Sequence, residues 1–131
     1  MAEGILKNIL SEYDISSAGI ITANGLAPSE NAVLATKEIG IDISSHKSRL
    51  ISNKLFEESD IILCMTQAHK DMIMTYLGEN EKTFTLAEFV GENGDIPDPF
   101  GGDLEQYIIC RDSIATLLEK VAKRLNCEND D

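Results

Sequence analysis

The residue with the clearest chemical potential is Asp98, which lies between two prolines in the stretch DIPDPFGG. The prolines restrain the backbone on both sides of the carboxyl group, and the glycines after Phe100 let a ligand approach closely. A carboxyl group held near an aromatic wall can have its pKa raised by desolvation and can then act as a general acid. The alternative interpretation is an ordinary surface Asp-Pro turn. Local sequence alone leaves both interpretations open.

Cysteine chemistry is the second candidate, because thiolates serve as nucleophiles and as metal ligands. Cys64, Cys110 and Cys127 are an odd number at wide spacing, with no CxxC pair and only two histidines in the chain. This pattern is typical of reduced cytosolic thiols rather than of a disulfide framework or a zinc site. We therefore expect neither a metal nor a cofactor.

The composition limits the partners that such a site can have. The 131 residues are 43% apolar, which is enough for a single domain, spanning 1–131, with one core. There are 23 acidic and 11 basic residues, a net charge of −12, so the charge disfavours nucleic acid and anionic membrane surfaces as partners because both repel such a chain. No apolar run approaches the roughly 18 residues of a membrane span, and the first residues lack the apolar stretch of a signal peptide. We expect a cytoplasmic domain.

The candidate residues lie on a chain whose predicted helices and strands alternate. Periodic apolar positions predict helices over 1–13, 30–39, around 54–58, 67–77 and 104–125. Apolar and β-branched runs predict strands over 15–21, 60–65 and 82–86. On the helix over 67–77 we expect Ala68, Met72 and Tyr76 to face the core.

This alternation predicts an α/β class, with a parallel sheet and helices on both faces. The loop at residues 91–102, GENGDIPDPFGG, follows the last predicted strand and holds two of the three prolines and four of the nine glycines. A long, stiffened loop at the carboxyl end of a parallel strand is where α/β proteins keep their chemistry. Asp98 lies in this loop.

Five segments carry a family resemblance that covers essentially the whole chain. In order they are MAEGILKNIL, SSAG, GIDISSHKSR, DIILCMTQAHK and DIPDPFGG, the last one before a long helix. Together they resemble the low molecular weight protein-tyrosine-phosphatase family. The resemblance implies a three-layer, flavodoxin-like (phosphotyrosine phosphatase I-like) fold. In that family a Cys thiolate in a C-x5-R loop attacks phosphorus, and the Asp of a DP loop protonates the leaving group and then activates water.

The resemblance assigns roles to individual residues. Asp98 matches the general acid and base, and Phe100 matches the aromatic residue that lines the substrate pocket. Ser17 and His46 match residues that hydrogen-bond the phosphate loop, although a strand-end serine bonding its own backbone and a satisfied surface histidine are the ordinary alternatives. His69 matches no catalytic residue and is expected on a helix surface. The DPFGG form resembles the bacterial branch, which includes protein-arginine phosphatases.

The family's C-x5-R loop has no counterpart in the sequence. The family motif ends directly before the residue that aligns with Met1, so the resemblance describes an N-terminally truncated domain that lacks the nucleophile and the phosphate-binding Arg. Cys64 begins a similar stretch, CMTQAHK, but it ends in Lys70, which has no bidentate fork, and it lies in an apolar run. We interpret Cys64 as a buried cysteine.

The same family resemblance implies that the first, central strand of the sheet is absent from this chain. In the strand order 2-1-3-4 that strand lies between the strands predicted at 15–21 and 60–65. Because unpaired buried backbone groups cost about 1–3 kcal/mol each, we expect a gap, a rearranged sheet edge, or strand exchange or a dimer that supplies the missing strand.

Three functional hypotheses follow. The first is a bacterial phosphatase that acts on phosphotyrosine or phosphoarginine in proteins when complete, and that is inactive as the 131-residue chain alone. The second is a catalytically dead binding or regulatory module. The third is an arsenate reductase-like protein, which would need a relay of cysteines.

Overall fold

The computed structural model describes residues 1–20 and 24–129, and the side chains up to residue 126. The end of the strand predicted at 15–21 and the start of the following loop, at residues 21–23, therefore lie outside the described residues, as does the side chain of Cys127. The described elements, in chain order, are α1 (Ala2–Ile9), α2 (Glu30–Lys37), α3 (Asn53–Glu58), β1 (Ile62–Cys64), α4 (Gln67–Tyr76), β2 (Thr83–Thr85), α5 (Leu86–Phe89) and α6 (Leu104–Asn129).

The first helix is shorter than the predicted range 1–13. Helix α1 ends at Ile9, and Leu10 leaves helical geometry with φ −122°. The next two residues, Ser11 and Glu12, are polar and exposed, so continuing the helix through them would bury no apolar side chain there. Gly4 lies so close to Ile43 that a Cβ at this glycine would be 2.7 Å from the isoleucine side chain. Glycine at this position lets α1 approach Ile43.

The predicted strand over 15–21 does not form a regular strand within residues 15–20. Gly19 makes an isolated parallel bridge with Leu50. Its N–H donates to Arg49 O at 2.8 Å, and its carbonyl accepts from Ile51 N–H at 2.9 Å. One bridge supplies only two ladder hydrogen bonds, so the segment is extended without becoming part of a longer ladder.

The described sheet is a parallel pair of short strands. Ile62 of β1 is aligned with Thr83 of β2, and Cys64 is aligned with Thr85. Both strands form inside their predicted ranges of 60–65 and 82–86 but are shorter. The sheet of the described residues therefore has two strands, whereas the resemblance implied three in this chain, an order of four without its first, central strand. Strand exchange and dimer formation remain predictions.

Three of the predicted helices begin at hydroxyl side chains. The Ser29, Ser52 and Thr66 oxygens each accept the backbone N–H three residues later, at the starts of α2, α3 and α4. Such bonds satisfy a backbone donor that the first helical turn leaves without a partner. The turn after α2 closes at Gly40, whose φ of 83° favours glycine. These local signals explain why all three helices form close to their predicted ranges.

The predicted core face of α4 is wrong for two of its three residues. Ile73 is buried and Met72 is half-buried, whereas Ala68 is exposed and Tyr76 is 76% exposed. Ile73 lies one turn after His69 on the same side of the helix, and His69 is half-buried rather than on the surface as expected. Apolar periodicity in a short, weakly amphipathic helix does not determine which side meets the sheet, so packing against β1 and β2 decided the orientation.

The core is organised around α6, which packs against α1, α2 and α5. Helix α5 was not predicted; it begins directly after β2, with Thr85 and Glu88 forming a capping box. Leu86 of α5 and Leu118 of α6 are almost completely inaccessible to solvent. The arrangement of helices against a parallel sheet confirms the predicted α/β class. Among the described residues, no helix has both the length and the apolar character that a membrane span requires.

Candidate active site

The carboxyl group of Asp98 is held in a tight turn at the surface. Its Oδ1 accepts the Phe100 N–H at 3.0 Å, and the Gly102 N–H donates to Pro99 O at 2.7 Å. This is the geometry of an Asp-initiated turn, so the local interpretation of an Asp-Pro turn describes the backbone. Asp98 is exposed, and the described residues do not bury it as the desolvation argument expected. The carboxyl group is accessible to a ligand.

Two hydrogen bonds fix the start of this loop at the end of the sheet. Asp95 Oδ1 accepts the Gln67 N–H at 2.9 Å, which is the first amide of α4. The Ile96 N–H donates to Met65 O at 2.9 Å, directly after β1. The loop that carries Asp98 therefore lies at the carboxyl end of β1, where the α/β architecture places binding sites.

A cavity of about 460 Å³ lies between this loop and α6. Its lining includes Asp98, Phe100, Ile109 and Ser113, and Phe100 is 85% exposed. An aromatic ring that packs on little of its own chain has its faces available for a flat ligand. The structure thus brings together the two loop residues that the sequence singled out, Asp98 and Phe100.

Cys110 lines the same cavity, although no sequence pattern predicted it there. Its Sγ is 3.7 Å from Pro97 O. Burial raises the pKa of the Cys110 thiol, and the negative charge of Asp98 raises it further, whereas the α-amino group of Met1 acts in the opposite direction. The thiol is therefore protonated at neutral pH. Burial also lowers the pKa of the Met1 α-amino group.

Ser17 and His46 meet at the carboxylate of Glu3, which the sequence did not single out. Ser17 Oγ donates to Glu3 Oε1 at 3.0 Å, and His46 Nδ1 lies 3.3 Å from Glu3 Oε2. Lys7 Nζ lies 3.4 Å from the same Oε2. Burial raises the pKa of Glu3, but the hydrogen bond from Ser17 and the charges of Lys7 and His46 outweigh it, so the pKa is lowered. The Ser17 hydroxyl thus bonds a carboxylate rather than its own backbone, whereas half-buried His46 is paired with the same carboxylate, as the satisfied-histidine alternative describes.

The first turn of α1 connects the two groups of residues. The α-amino group of Met1 interacts electrostatically with Cys110, which lines the cavity. Two positions after Met1, Glu3 accepts the hydrogen bond from Ser17. A signal for Glu3 was present in the sequence, since an acidic residue in the first turn of a helix is favoured there by the helix dipole. Nothing local indicated its two partners.

Cys64 is buried, as predicted, and burial raises the pKa of its thiol to about 11; Lys70 lowers this pKa and Glu88 raises it. At neutral pH such a thiol is almost entirely protonated and a poor nucleophile. Its position on β1 and its pKa both argue against a role in attack on phosphorus.

Metal ligation has no candidate cluster in the part of the chain that the structure describes. No group of three or more His, Cys, Asp and Glu side chains within those residues could hold a metal ion.

Comparison with known proteins gives a consistent result. Residues 1–130 match the low molecular weight phosphotyrosine protein phosphatase family. A protein-arginine-phosphatase of Geobacillus stearothermophilus is 40% identical over 131 residues, covering 98% of this chain and 88% of that protein. The low molecular weight protein-tyrosine-phosphatase PtpB of Staphylococcus epidermidis is 35% identical, covering 92% of this chain and 86% of that protein.

A solved structure agrees with these relatives. The arginine phosphatase YwlE, in a cysteine-to-serine mutant with a phosphorylated active-site serine, superposes with a TM-score of 0.91 at 35% identity. The match covers 95% of this chain and 86% of that one. This similarity confirms the flavodoxin-like α/β expectation for the fold. In that relative, the active-site serine is phosphorylated.

Proposed function

Because the chain belongs to the low molecular weight phosphotyrosine protein phosphatase family, we propose that it forms the acid-bearing part of a bacterial protein phosphatase. The observation that carries this proposal is the loop geometry: Asp98 is exposed in a turn held at the end of β1, beside Phe100 and a cavity of about 460 Å³. A carboxyl group so placed can give a proton to a leaving group and later take one from water. The expected substrates are phosphorylated proteins in the cytoplasm.

The proposed reaction has two steps. A cysteine thiolate attacks phosphorus, the bond from phosphorus to the leaving oxygen or nitrogen breaks, and Asp98 gives its proton to that atom. The Asp98 carboxylate then takes a proton from water, whose oxygen attacks phosphorus, and the S–P bond breaks to release phosphate and the thiolate. Phe100 contacts the phosphorylated side chain, and Ser17 and His46 support the phosphate-binding loop.

The 131 residues of the sequence contain no C-x5-R motif, and we propose that none of their cysteines is the nucleophile. None of the three cysteines is followed six positions later by arginine, and burial keeps the thiols of Cys64 and Cys110 protonated. The resemblance places the C-x5-R loop directly before the residue aligned with Met1. We therefore expect no turnover from the 131-residue chain itself, because general acid catalysis alone contributes about 10²–10⁴-fold, far below what phosphate monoester hydrolysis requires.

The decisive experiment extends the chain at its N-terminus with the segment that precedes the matched region in the Geobacillus relative. Hydrolysis is measured on proteins carrying phosphoarginine and on proteins carrying phosphotyrosine. Phosphoarginine is the first choice, because the protein-arginine-phosphatase is more similar to this chain than the tyrosine phosphatase is, at 40% against 35% identity. A folded extended chain that hydrolyses neither substrate would contradict the proposal. A cysteine-to-serine change in the added segment is the matched control.

A catalytically dead binding module is the second candidate, since the sequence itself lacks the C-x5-R loop. It predicts that the 131-residue chain binds a phosphorylated protein stably and that the extension adds no turnover. The same experiment thus separates the two functions. Sedimentation of the 131-residue chain further tests the predicted strand exchange or dimer.

Arsenate reduction is not proposed. It needs cysteines that exchange electrons in sequence, and reactive thiols of that kind have lowered pKa values and access to solvent. Cys64 and Cys110 are both buried, and both thiols have raised pKa values.

A further inference from the structure

The loop that carries Asp98 is anchored on both sides of the carboxyl group. On the N-terminal side, Asp95 Oδ1 accepts the first amide of α4 at 2.9 Å. On the C-terminal side, the side-chain amide of Asn31, at the second position of α2, donates from Nδ2 to Gly102 O at 3.2 Å. The second anchor joins residues 71 positions apart in the sequence.

The part of the loop next to Asp98 is stiff. Pro97 and Pro99 fix φ near −65° on both sides of it. The bond from the Phe100 N–H to Asp98 Oδ1, at 3.0 Å, closes the turn. Few rotations therefore remain within residues 97–100, and the carboxyl group moves with this segment as one piece.

Two glycines, Gly101 and Gly102, link this stiff segment to α6. Gly101 has a φ of 80°, a left-handed conformation that favours glycine. At Gly102 a Cβ would be 2.8 Å from Pro99 O, so a side chain at this position would collide with the turn. The Gly102 N–H bond to Pro99 O, at 2.7 Å, holds the glycine end to the turn itself. The bond from Asn31 to Gly102 O ties the same end to α2, and so sets its direction relative to the rest of the fold.

We infer that Asn31 is a positioning residue, whose bond to Gly102 fixes the direction in which Asp98 presents its carboxyl group. Because the acceptor is a carbonyl oxygen, only the NH₂ of the side chain can make this bond. The inference uses the proposed function only for the role of Asp98. The bond itself is a feature of the 131-residue chain and can be tested without any turnover.

The first test is amide hydrogen exchange in the Asn31→Asp variant of the 131-residue chain. Aspartate keeps the size of asparagine but directs a carboxylate at the Gly102 carbonyl, and at this position near the start of α2 its charge favours the helix. A net hydrogen bond contributes about 0.5–1.5 kcal/mol, so the Phe100 and Gly102 amides are expected to exchange roughly 2- to 12-fold faster. Glu30→Gln, one position earlier in α2, is the matched control and should exchange like the wild type.

The second test separates positioning from general stability in the extended chain. Asn31→Asp should lower kcat for a substrate with a poor leaving group more than kcat for one with an activated leaving group, and should leave KM unchanged. Unchanged exchange at Phe100 and Gly102 would overturn the inference. Equally faster exchange in the core of α6, such as at Leu118, would also overturn it, because Asn31 would then be structural. The two proposals can fail separately. If exchange becomes faster only in the loop but the extended chain hydrolyses no substrate, the bond from Asn31 is confirmed as an anchor and the proposed function is wrong.

Discussion

The hydroxyl group of Ser17 donates to Glu3 Oε1 at 3.0 Å, joining two positions 14 residues apart. The same carboxylate lies 3.3 Å from His46 Nδ1. Two residues that match supports of the phosphate loop therefore share one acceptor at the start of α1. If the proposed function is correct, Glu3 fixes the side chains on which that loop rests.

Replacing Glu3 by glutamine should make the free energy of unfolding less dependent on pH. The folded-state pKa of Glu3 lies below the ordinary 4.5, so its carboxylate stabilises the fold above pH 4.5, and this contribution is lost as the pH falls through the folded-state pKa. Urea unfolding should show that Glu3→Gln costs about 1 kcal/mol at neutral pH and little at acidic pH. Glu57→Gln, at an exposed position of α3, is the control. An equal loss at both pH values would refute the assignment.

Replacing Asp98 by asparagine in the extended chain should selectively slow the departure of poor leaving groups. Asparagine Oδ1 can still accept the Phe100 N–H, so the turn is kept while the proton is lost. Turnover of such a substrate should fall by about 10²–10⁴-fold, and inhibition by inorganic phosphate should stay unchanged. Asp103→Asn is a matched control, because asparagine also caps helices and Asp103 Oδ1 accepts the Gln106 N–H. Undiminished turnover would exclude Asp98 as the acid.

Replacing Phe100 by alanine should affect substrate binding and leave stability unchanged. Phe100 is 85% exposed, so the free energy of unfolding should change by no more than about 0.5 kcal/mol. The loss of stacking should raise KM of the extended chain for a phosphotyrosine protein by about 2- to 12-fold. Phe89→Ala provides the contrast, because Phe89 is 3% exposed and its truncation should cost about 3–5 kcal/mol. A stability loss of that size at Phe100 would show that its ring packs on the chain.

The thiol of Cys64 should resist alkylation in the folded chain. Its pKa of about 11 means that the rate of iodoacetamide labelling at Cys64 should stay low near neutral pH and rise as the pH approaches 11. In urea the labelling should follow the ordinary pKa of 9.0. Mass spectrometry of the labelled peptide gives both profiles. Rapid labelling of the folded chain at neutral pH, together with turnover that Cys64→Ser abolishes, would make Cys64 a nucleophile after all.

Replacing Arg111 by methionine should loosen the packing of α2 on α6. The Arg111 side chain is almost fully buried, and its guanidinium donates to Ala35 O at 2.9 Å and lies 2.8 Å from Asp112 Oδ1. Methionine leaves the Ala35 carbonyl without this donor, so unfolding in urea should become easier by about 1–3 kcal/mol. Lys123→Met, at an exposed position of α6, should change stability by no more than about 0.5 kcal/mol. If both variants unfold alike, Arg111 does not join the two helices.

Features with local signals were predictable. Ser29 and Ser52 mark helix starts because a hydroxyl side chain satisfies an amide three residues later, and that effect needs no other part of the chain. The alternation of apolar segments indicated the α/β class, and the two prolines around Asp98 indicated a stiff loop. Each of these signals acts within a few residues, so the sequence by itself determined the corresponding feature.

The tertiary structure decided how distant residues meet. Glu3 was not predicted as the shared partner of Ser17 and His46, and Asn31 was not predicted as the anchor of Gly102. These bonds join residues 14 and 71 positions apart, and their geometry depends on how α1 and α2 pack against the rest of the chain. The buried face of α4 was mispredicted for the same reason. Periodicity states that a helix has an apolar side, but only the neighbouring sheet selects which side is buried.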